Sequence, residues 1–355
     1  MDLETFWFCL IVVVWAMYFL LEGFDFGVGM LLPFVPRSDE ERTTALRTIG
    51  PVWDGNEVWL VVAGGATFAA FPAWYATMFS GFYLALLLIL VCLIVRVVSF
   101  EWRAKSETPG WRATWTWANT IGSFGASLLW GIGLSCLLYG TPIDSGGDFT
   151  GDLLDLFSPY SVFAGVAVVA LFAFHGATFL TLRTTGDLRA RSEAVARRLA
   201  IPGAVLAAVY LVWTVVVAMD RNDKDLFPPA LPAVIGIAAL ALAVVFVVTG
   251  SYGRAFAMTA LGAISLVATL FVSLYPRVMV SNTDFENSLT VDGAASSHYA
   301  LQVMSVVALI FVPLVVLYQG WTYYVFRRRV GGEAPGPQPP EAASAGGELL
   351  GELPR

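Results

Sequence analysis

The stretch Trp53-Asp54-Gly55-Asn56-Glu57-Val58-Trp59 opens an apolar run that continues to Phe71. Two carboxylates, an amide and two indoles therefore enter a segment whose composition is otherwise that of a membrane span. Asp54 and Glu57 are three residues apart, so they share one face if the segment is helical. An ionisable side chain within a bilayer costs roughly 2.5–3.5 kcal/mol on insertion scales, so two of them together predict a functional site.

The composition of the whole chain indicates an all-α polytopic membrane protein. Of its 355 residues, 57% are hydrophobic and 13% are charged, whereas a soluble domain carries about 25% charged residues. Apolar runs of about 20 residues recur along the chain, and each is long enough to cross a bilayer as a helix. No strongly basic surface of the kind that binds nucleic acid is evident. The nine predicted transmembrane helices are Leu3–Leu32, Gly50–Phe71, Phe79–Ser99, Trp115–Leu138, Pro159–Leu182, Ile201–Met219, Leu231–Thr249, Ala255–Leu274 and Tyr299–Phe326.

The charges of the loops orient these spans. Basic residues concentrate in the loops after spans 1, 3, 5 and 7 and directly after span 9, while the remaining loops are acidic. Because basic loops stay on the cytoplasmic side, the pattern predicts an N-terminus outside and a C-terminus in the cytoplasm.

The spans suggest one membrane domain over residues 1–330. We expect two four-helix bundles, spans 1–4 and 5–8, with span 9 as a peripheral helix. The basic segment from Arg183 to Arg198 is predicted to form a short interfacial helix of its own. Residues 331–355 are rich in Gly, Pro, Ala and Glu, a composition typical of a disordered cytoplasmic tail.

Four acids are predicted to gather near the cytoplasmic surface. Glu22 and Asp25 lie in the inner half of span 1, and Asp54 and Glu57 lie in the first turns of span 2. A short loop joins the two spans, so the helices are expected to be antiparallel neighbours. Crowded, desolvated carboxylic acids hold protons near neutrality, which is the property that a proton relay needs. The glycines between Glu22 and Gly29 allow close helix contact, or they loosen the helix so that water reaches the acids.

Simpler interpretations of these charges stay open. Asp25 and Asp54 could cap helix ends or pair with Arg96 or Arg47 at the interface. Arg96, near the inner end of span 3 and followed by Glu101, could snorkel to the interface. The alternative for Arg96 is an ion pair with one of the clustered acids.

The histidines and cysteines give little support to a cofactor or metal site on this chain. His175 lies within span 5 and His298 lies at the outer boundary of span 9. A packed histidine bonded to a backbone carbonyl is the simpler interpretation of His175, and an axial haem ligand is the alternative. Two histidines at different depths do not support several haems. Cys9, Cys92 and Cys136 stand in apolar runs without CxxC spacing, which is typical of small buried side chains.

Several motifs together carry a family resemblance. The two most specific are Glu22–Gly29, which reads EGFDFGVG, and Gly50–Trp59, which reads GPVWDGNEVW. Supporting stretches are Ala63–Pro72, Arg96 with Glu101–Lys105, Ser288–Thr290 and Ala295–Ser297. On these motifs the chain resembles subunit II of the cytochrome bd-type quinol oxidases, from its N-terminus to about Val330.

The resemblance implies a multi-pass subunit of a bacterial cytoplasmic (inner) membrane complex. Its partner would be subunit I, which holds two b-type haems and one d-type haem and oxidises quinol near the outer face. The chain itself would carry no haem ligands. A small accessory subunit, membrane lipid and a quinone bound as a lipid-like ligand are further partners that the resemblance suggests. The high Ala, Val and Arg content looks actinobacterial, which would make the quinone menaquinone rather than ubiquinone.

The resemblance also implies roles for the acids. Asp25 and Asp54 match positions associated with a path that delivers cytoplasmic protons toward the oxygen-reducing haems. We expect Glu22 and Glu57 to tune these relays and Trp53 to shape the wall of the path, with Arg96 and Glu101 nearby. The family can carry an acid where this chain has Thr116, and a glutamine where it has Glu57, so details of the path differ here.

Two other hypotheses stand beside this one. A purely structural subunit would only stabilise subunit I and its haems. A proton-coupled secondary transporter would instead carry polar groups near the bilayer midplane in both halves, whereas the acids here cluster in one half only.

Overall fold

The computed structural model describes residues 2–331, most of which are helical. The helices are α1 (Leu3–Leu31), α2 (Asp39–Ile49), α3 (Trp53–Ala70), α4 (Pro72–Gly81), α5 (Tyr83–Trp102), α6 (Pro109–Tyr139), α7 (Pro159–Arg183), α8 (Gly186–Arg221), α9 (Ala230–Val248), α10 (Tyr252–Leu274), α11 (Val291–Ala294) and α12 (His298–Val325). Strands β1 (Arg277–Met279) and β2 (Leu289–Thr290) pair antiparallel. The predicted tail lies outside the described residues, except for Gly331.

Eight helices of the described range are long and apolar enough to cross a membrane: α1, α5, α6, α7, α8, α9, α10 and α12. They correspond to eight of the nine predicted spans. The other predicted span corresponds to α3, whose first turns carry Asp54, Asn56 and Glu57 and are therefore less apolar.

Helix α1 lies at the centre of the fold. It packs against α3, α6, α7, α10 and α12, so the two predicted four-helix sets share one core. The closest contact is with α7, where a Cβ on Gly27 would lie 2.0 Å from the Phe172 carbonyl oxygen. Helix α1 continues unbroken through Gly29. Its glycines therefore serve close packing, and the expectation that they loosen the helix was wrong.

Helix α8 corrects one prediction about the basic segment. Instead of a separate interfacial helix followed by a span, Gly186–Arg221 forms one helix of 36 residues. The reason is a buried stripe at four-residue spacing, which continues from the basic part toward the apolar part and outweighs Pro202, a proline inside the helix. The residues of that stripe are Leu188, Ser192, Ala196 and Ala200.

Segments predicted to lie on the same side of the membrane do contact one another. On the predicted cytoplasmic side, Asp39 of α2 accepts hydrogen bonds from Arg103 and Arg112. On the opposite side, the Thr141 amide donates to the Val280 carbonyl at 3.0 Å. The helix ends thus form two faces, one held by arginine–carboxylate pairs and one by backbone hydrogen bonds between loops.

Helix α12 lies at the edge of the bundle. Of the most apolar 18 residues of α12 only 6% are buried, against 67% for the corresponding stretch of α6. At its outer end the Trp7 indole N–H of α1 lies 3.0 Å from the Ser305 hydroxyl.

Candidate functional site

Three charged side chains of the predicted set meet in the interior. Glu22 and Asp25 on α1 and Arg96 on α5 are fully buried. Nη1 of Arg96 lies 3.3 Å from Oε2 of Glu22, and its guanidinium stands 4.8 Å from the centre of the Phe26 ring and 5.4 Å from that of Phe100. Arg96 therefore pairs with an acid, and the simpler interpretation that it snorkels to the interface was wrong. Burial of an arginine is tolerated where a carboxylate balances its charge.

Asp25 is held from α3 by an amide. Nδ2 of Asn56 donates to Oδ2 of Asp25 at 2.7 Å, and Asn56 is fully buried. Oδ1 of the same amide accepts from Nε2 of Gln319 at 3.0 Å and from the hydroxyl of Tyr323 at 2.7 Å, both on α12. A polar chain thus links α1, α3 and α12.

The two acids of α3 lie on a different face from Asn56. Asp54 is exposed and makes no hydrogen bond or ion pair with residues 2–331, while Glu57 is half-buried near Arg96. Residues two apart on a helix differ by about 200° in direction, so turning Asn56 toward α1 turns Asp54 away. Of the four acids, Glu22 and Asp25 are therefore buried together with Glu57 at their edge, and Asp54 lies on the exposed side of α3 beside Glu57.

The remaining predicted residues lie around the cluster. Trp53 is half-buried with its ring centre 5.5 Å from that of Phe100, and Glu101 is exposed. Thr116 is buried and accepts a hydrogen bond from Nε of Arg103 at 3.0 Å. It therefore belongs to the arginine network of the cytoplasmic face.

Many polar atoms of the cluster have no hydrogen-bond partner among the described residues. They include both carboxylate oxygens of Glu22, Oδ1 of Asp25, the three guanidinium nitrogens of Arg96 and the hydroxyl of Tyr18. Buried polar groups in native proteins are almost always bonded to protein or to water. These atoms therefore form a buried polar cluster that the described residues alone do not satisfy.

A cavity of about 310 Å³ opens at the predicted cytoplasmic face near this cluster. Trp53 and Phe100 form part of its wall, and the Phe100 ring also contacts the guanidinium of Arg96. Three arginines complete the charged part of the lining: Arg47, Arg103 and Arg112. The cavity is thus electropositive, and only the Phe100 ring separates it from Arg96 of the buried cluster.

The histidines of the chain do not fit a haem. Nδ1 of His175 lies 2.7 Å from the Thr259 hydroxyl and Nε2 lies 3.2 Å from the Leu20 carbonyl oxygen. The ring stacks on Phe256 with 4.6 Å between ring centres. Both nitrogens are engaged and one ring face is covered, so His175 fits a packed histidine. His298 is exposed and lies 3.1 Å from Nε2 of Gln302.

The bundle and its buried charges define a class of protein: a polytopic helical membrane protein that holds ionisable groups inside the bilayer. Comparison with known proteins makes the family specific. Residues 3–326 match the family model described as cytochrome bd terminal oxidase subunit II. The chain therefore belongs to the cytochrome bd terminal oxidase subunit II family.

Individual relatives agree with this assignment. Over 339 residues the chain is 39% identical to cytochrome bd ubiquinol oxidase subunit 2 of Bacillus subtilis, covering 94% of this chain and 98% of that protein. It is 35% identical over 360 residues to cytochrome bd-I ubiquinol oxidase subunit 2 of Escherichia coli, covering 92% and 95%. A chain from the structure of bd oxidase from Geobacillus thermodenitrificans has the same fold, with a TM-score of 0.73 at 19% identity over 92% of this chain and 99% of that chain.

The resemblance seen in the sequence motifs is thus confirmed. The chain is a multi-pass protein of the bacterial inner membrane and a member of a terminal oxidase complex, an oxidoreductase. A subunit II implies a subunit I as partner, and the family implies haem in the complex.

Proposed function

We propose that this chain is the haem-free subunit of an oxidase that uses quinol electrons to reduce oxygen to water, and that it conducts cytoplasmic protons toward the partner's reaction centre. The observation that carries the proposal is the buried cluster of Glu22, Asp25 and Arg96, whose polar atoms are only partly satisfied by protein. Ionisable groups inside a membrane default to proton or ion handling.

The route begins at the cavity beside Trp53 and Phe100. Water entering there reaches Arg96 around the Phe100 ring, and Glu22 and Asp25 then take up and release protons through water on their unpaired oxygens. Arg96 keeps this charge inside the bundle, since a lone buried carboxylate would be far more costly. Glu57, at the edge of the cluster, passes protons toward the exposed face of α3.

The exposed face of α3 is the surface that we propose for subunit I. Asp54 is exposed there in line with Val58, Val61 and Phe68. Asp54 lies in the first turn of α3, at its predicted cytoplasmic end, and a covering protein would shield this carboxylate and the apolar side chains beyond it from lipid. Helices α5 and α12 are also poorly buried within the described structure, with 28% and 6% of their most apolar 18 residues buried.

This proposal includes nine membrane crossings, with the N-terminus outside and the C-terminus in the cytoplasm. Support for α3 as the second crossing comes from its two ends. Trp53 lies against Phe100 near the arginine network, while the Ala70 carbonyl accepts from the Ser296 amide at 2.8 Å on the opposite face. Its 18 residues rise about 27 Å, close to the thickness of the hydrocarbon core.

In this arrangement the enzyme is electrogenic without a pump. Oxygen reduction consumes protons taken from the cytoplasm, while quinol oxidation releases its protons on the outer side. Two haems b and one haem d in subunit I, a small accessory subunit and menaquinone as the quinone remain predictions of the family resemblance and of composition.

The decisive experiment replaces Asp25 with Asn in the purified complex. We expect oxygen consumption per haem to fall about tenfold or more, because a positioned proton-transfer group contributes roughly 10²–10⁴-fold. The haem absorbance spectrum should stay unchanged. Asp187→Asn, an exposed acid at the start of α8, is the matched control and should keep full turnover.

The same experiment separates the structural alternative. A purely structural subunit would lose complex yield or haem content in Asp25→Asn while turnover per haem stays at the level of the control. That outcome would refute the proton path. The transporter hypothesis finds no support in the family to which the chain belongs.

A further inference from the structure

Two side chains near the C-terminal end of α12 turn toward the buried cluster. Most of α12 is exposed in this chain, but Gln319 and Tyr323, one turn apart on the same face, are half-buried. Both donate to a single acceptor, Oδ1 of Asn56. Gly55 leaves room for this approach, since a Cβ there would lie 3.0 Å from the Gln319 amide oxygen.

In the structure both α12 side chains donate to the amide oxygen of Asn56, and this leaves the opposite end of the amide for Asp25. A primary amide can present either its oxygen or its NH2 group to a neighbour. With both α12 donors on Oδ1, the NH2 group is left for Asp25, to which it donates at 2.7 Å. An ionised carboxylate accepts such a bond, whereas a turned-over amide would bring its oxygen against the carboxylate oxygens.

We propose that Gln319 and Tyr323 are positioning residues for proton transfer: they hold the Asn56 amide with its NH2 group toward Asp25. The inference rests on the proposed proton path and adds α12 to it. Without the two donors, Asn56 turns over and accepts a hydrogen bond from the protonated acid. Asp25 then keeps its proton, and its exchange with the rest of the path slows.

Among the groups around Asp25, the Asn56 amide is the one whose orientation can change how easily Asp25 ionises. Glu22 on the same helix is paired to Arg96, and Glu57 lies on α3 beside them. Of the hydrogen bonds in the described structure, the one from Asn56 is the only one to the Asp25 carboxylate. Its direction therefore controls how easily the ionised form is reached.

The test compares Tyr323→Phe with Tyr324→Phe in the purified complex. Both remove one hydroxyl from α12, but Tyr324 is 62% exposed and, unlike Tyr323, is not among the described hydrogen-bond partners of Asn56. We expect kcat to fall about three- to tenfold in Tyr323→Phe, as for the loss of one or two buried hydrogen bonds, with the KM for quinol unchanged. Tyr324→Phe should behave as the unmodified complex, and Gln319→Leu should behave like Tyr323→Phe.

A double-mutant cycle shows whether the effect passes through Asn56. In an Asn56→Leu background, Tyr323→Phe should cause no further loss of kcat, because the amide that it positions is gone. Haem absorbance per complex should be the same in all variants. A purely structural role would lower the yield of the Tyr323→Phe complex and leave its kcat per haem unchanged. An unchanged kcat, or an equal loss of kcat with and without Asn56, would overturn the inference.

Failure of this inference is distinguishable from failure of the proton path. If Asp25→Asn slows turnover while Tyr323→Phe matches Tyr324→Phe, the path stands and the role of α12 is refuted. If Asp25→Asn leaves turnover intact, the path itself is refuted.

Discussion

The charge count of the buried cluster makes Arg96 less replaceable than Glu22. Three acids, Glu22, Asp25 and Glu57, lie within reach of one guanidinium, whose charge acts on all three. Removing Arg96 leaves carboxylates in a low-dielectric interior with no cation, and breaking a buried pair in this way costs about 3–5 kcal/mol. Removing Glu22 leaves Arg96 with two further acids, so Glu22→Gln should cost about 1–3 kcal/mol, the range for an unsatisfied buried polar group.

The assay is thermal unfolding of the detergent-purified complex, followed by the temperature at which half of the protein aggregates. Because membrane complexes often unfold irreversibly, the order of the variants is the measurement rather than an absolute free energy. We expect the aggregation temperature of Arg96→Met to be lower than that of Glu22→Gln, and both to be lower than that of the unmodified protein. Arg47→Met, which removes an exposed arginine of α2, should have no measurable effect.

A double variant sharpens the test. Glu22→Leu combined with Arg96→Met removes both charges of the pair and should recover part of the loss caused by Arg96→Met alone. If Glu22→Gln proved as damaging as Arg96→Met, or if the double variant showed purely additive losses, the surplus of acid around one arginine would not govern the stability of the cluster.

Two further predictions concern packing and the cytoplasmic face. Gly27→Ala should strongly reduce the yield of folded protein, because the new methyl group would lie 2.0 Å from a backbone oxygen of α7. Gly133→Ala, which has open space at its Cβ, should be tolerated. Equal yields of the two variants would show that α1 and α7 can separate without cost. Burial of the Glu41 carboxylate by itself raises its pKa. Hydrogen bonds from the Arg37 amide and from Arg191 outweigh this effect and hold the pKa of Glu41 below its usual value. Stability from Glu41 is therefore present above its unfolded pKa and lost as pH falls through the lower folded value. Thermal stability of Glu41→Gln should fall below that of Glu40→Gln at pH 7 and meet it below about pH 4, and a gap that persists at acid pH would contradict the pairing.

The spans were predictable from the sequence because the bilayer imposes one length and one composition on every crossing helix. The eight most apolar spans follow directly from that requirement. The join between the basic segment and span 6 was missed because charge was taken as a boundary. In α8 the buried stripe, rather than the charge, decides where the helix begins.

The site was only half predictable, for a reason of geometry. A charged residue in an apolar run is visible to any reader, so Glu22, Asp25 and Glu57 were found. Asn56 is uncharged and stands between two acids, and its partners Gln319 and Tyr323 lie more than 260 residues further along the chain. Nothing in local spacing joins them, because only the packing of α12 along α1 and α3 brings them together.

Helix α3 shows why the acids of one motif have two different environments. The helix turns Asn56, Trp59, Ala63 and Thr67 inward and leaves Asp54 and Val58 on its open side. The inward stripe is complete within this chain, since Asn56 has partners for both ends of its amide. The outward stripe is not complete within residues 2–331, because it joins Asp54, which has no hydrogen bond or ion pair there, to apolar side chains on one membrane-facing surface. Asp54 lies in the first turn of α3, at the predicted cytoplasmic end, where a protein partner can cover the apolar side chains and bring polar groups beside the carboxylate. This position supports the proposed contact with subunit I at α3, and we propose that the path leaves this chain at Asp54 rather than entering there.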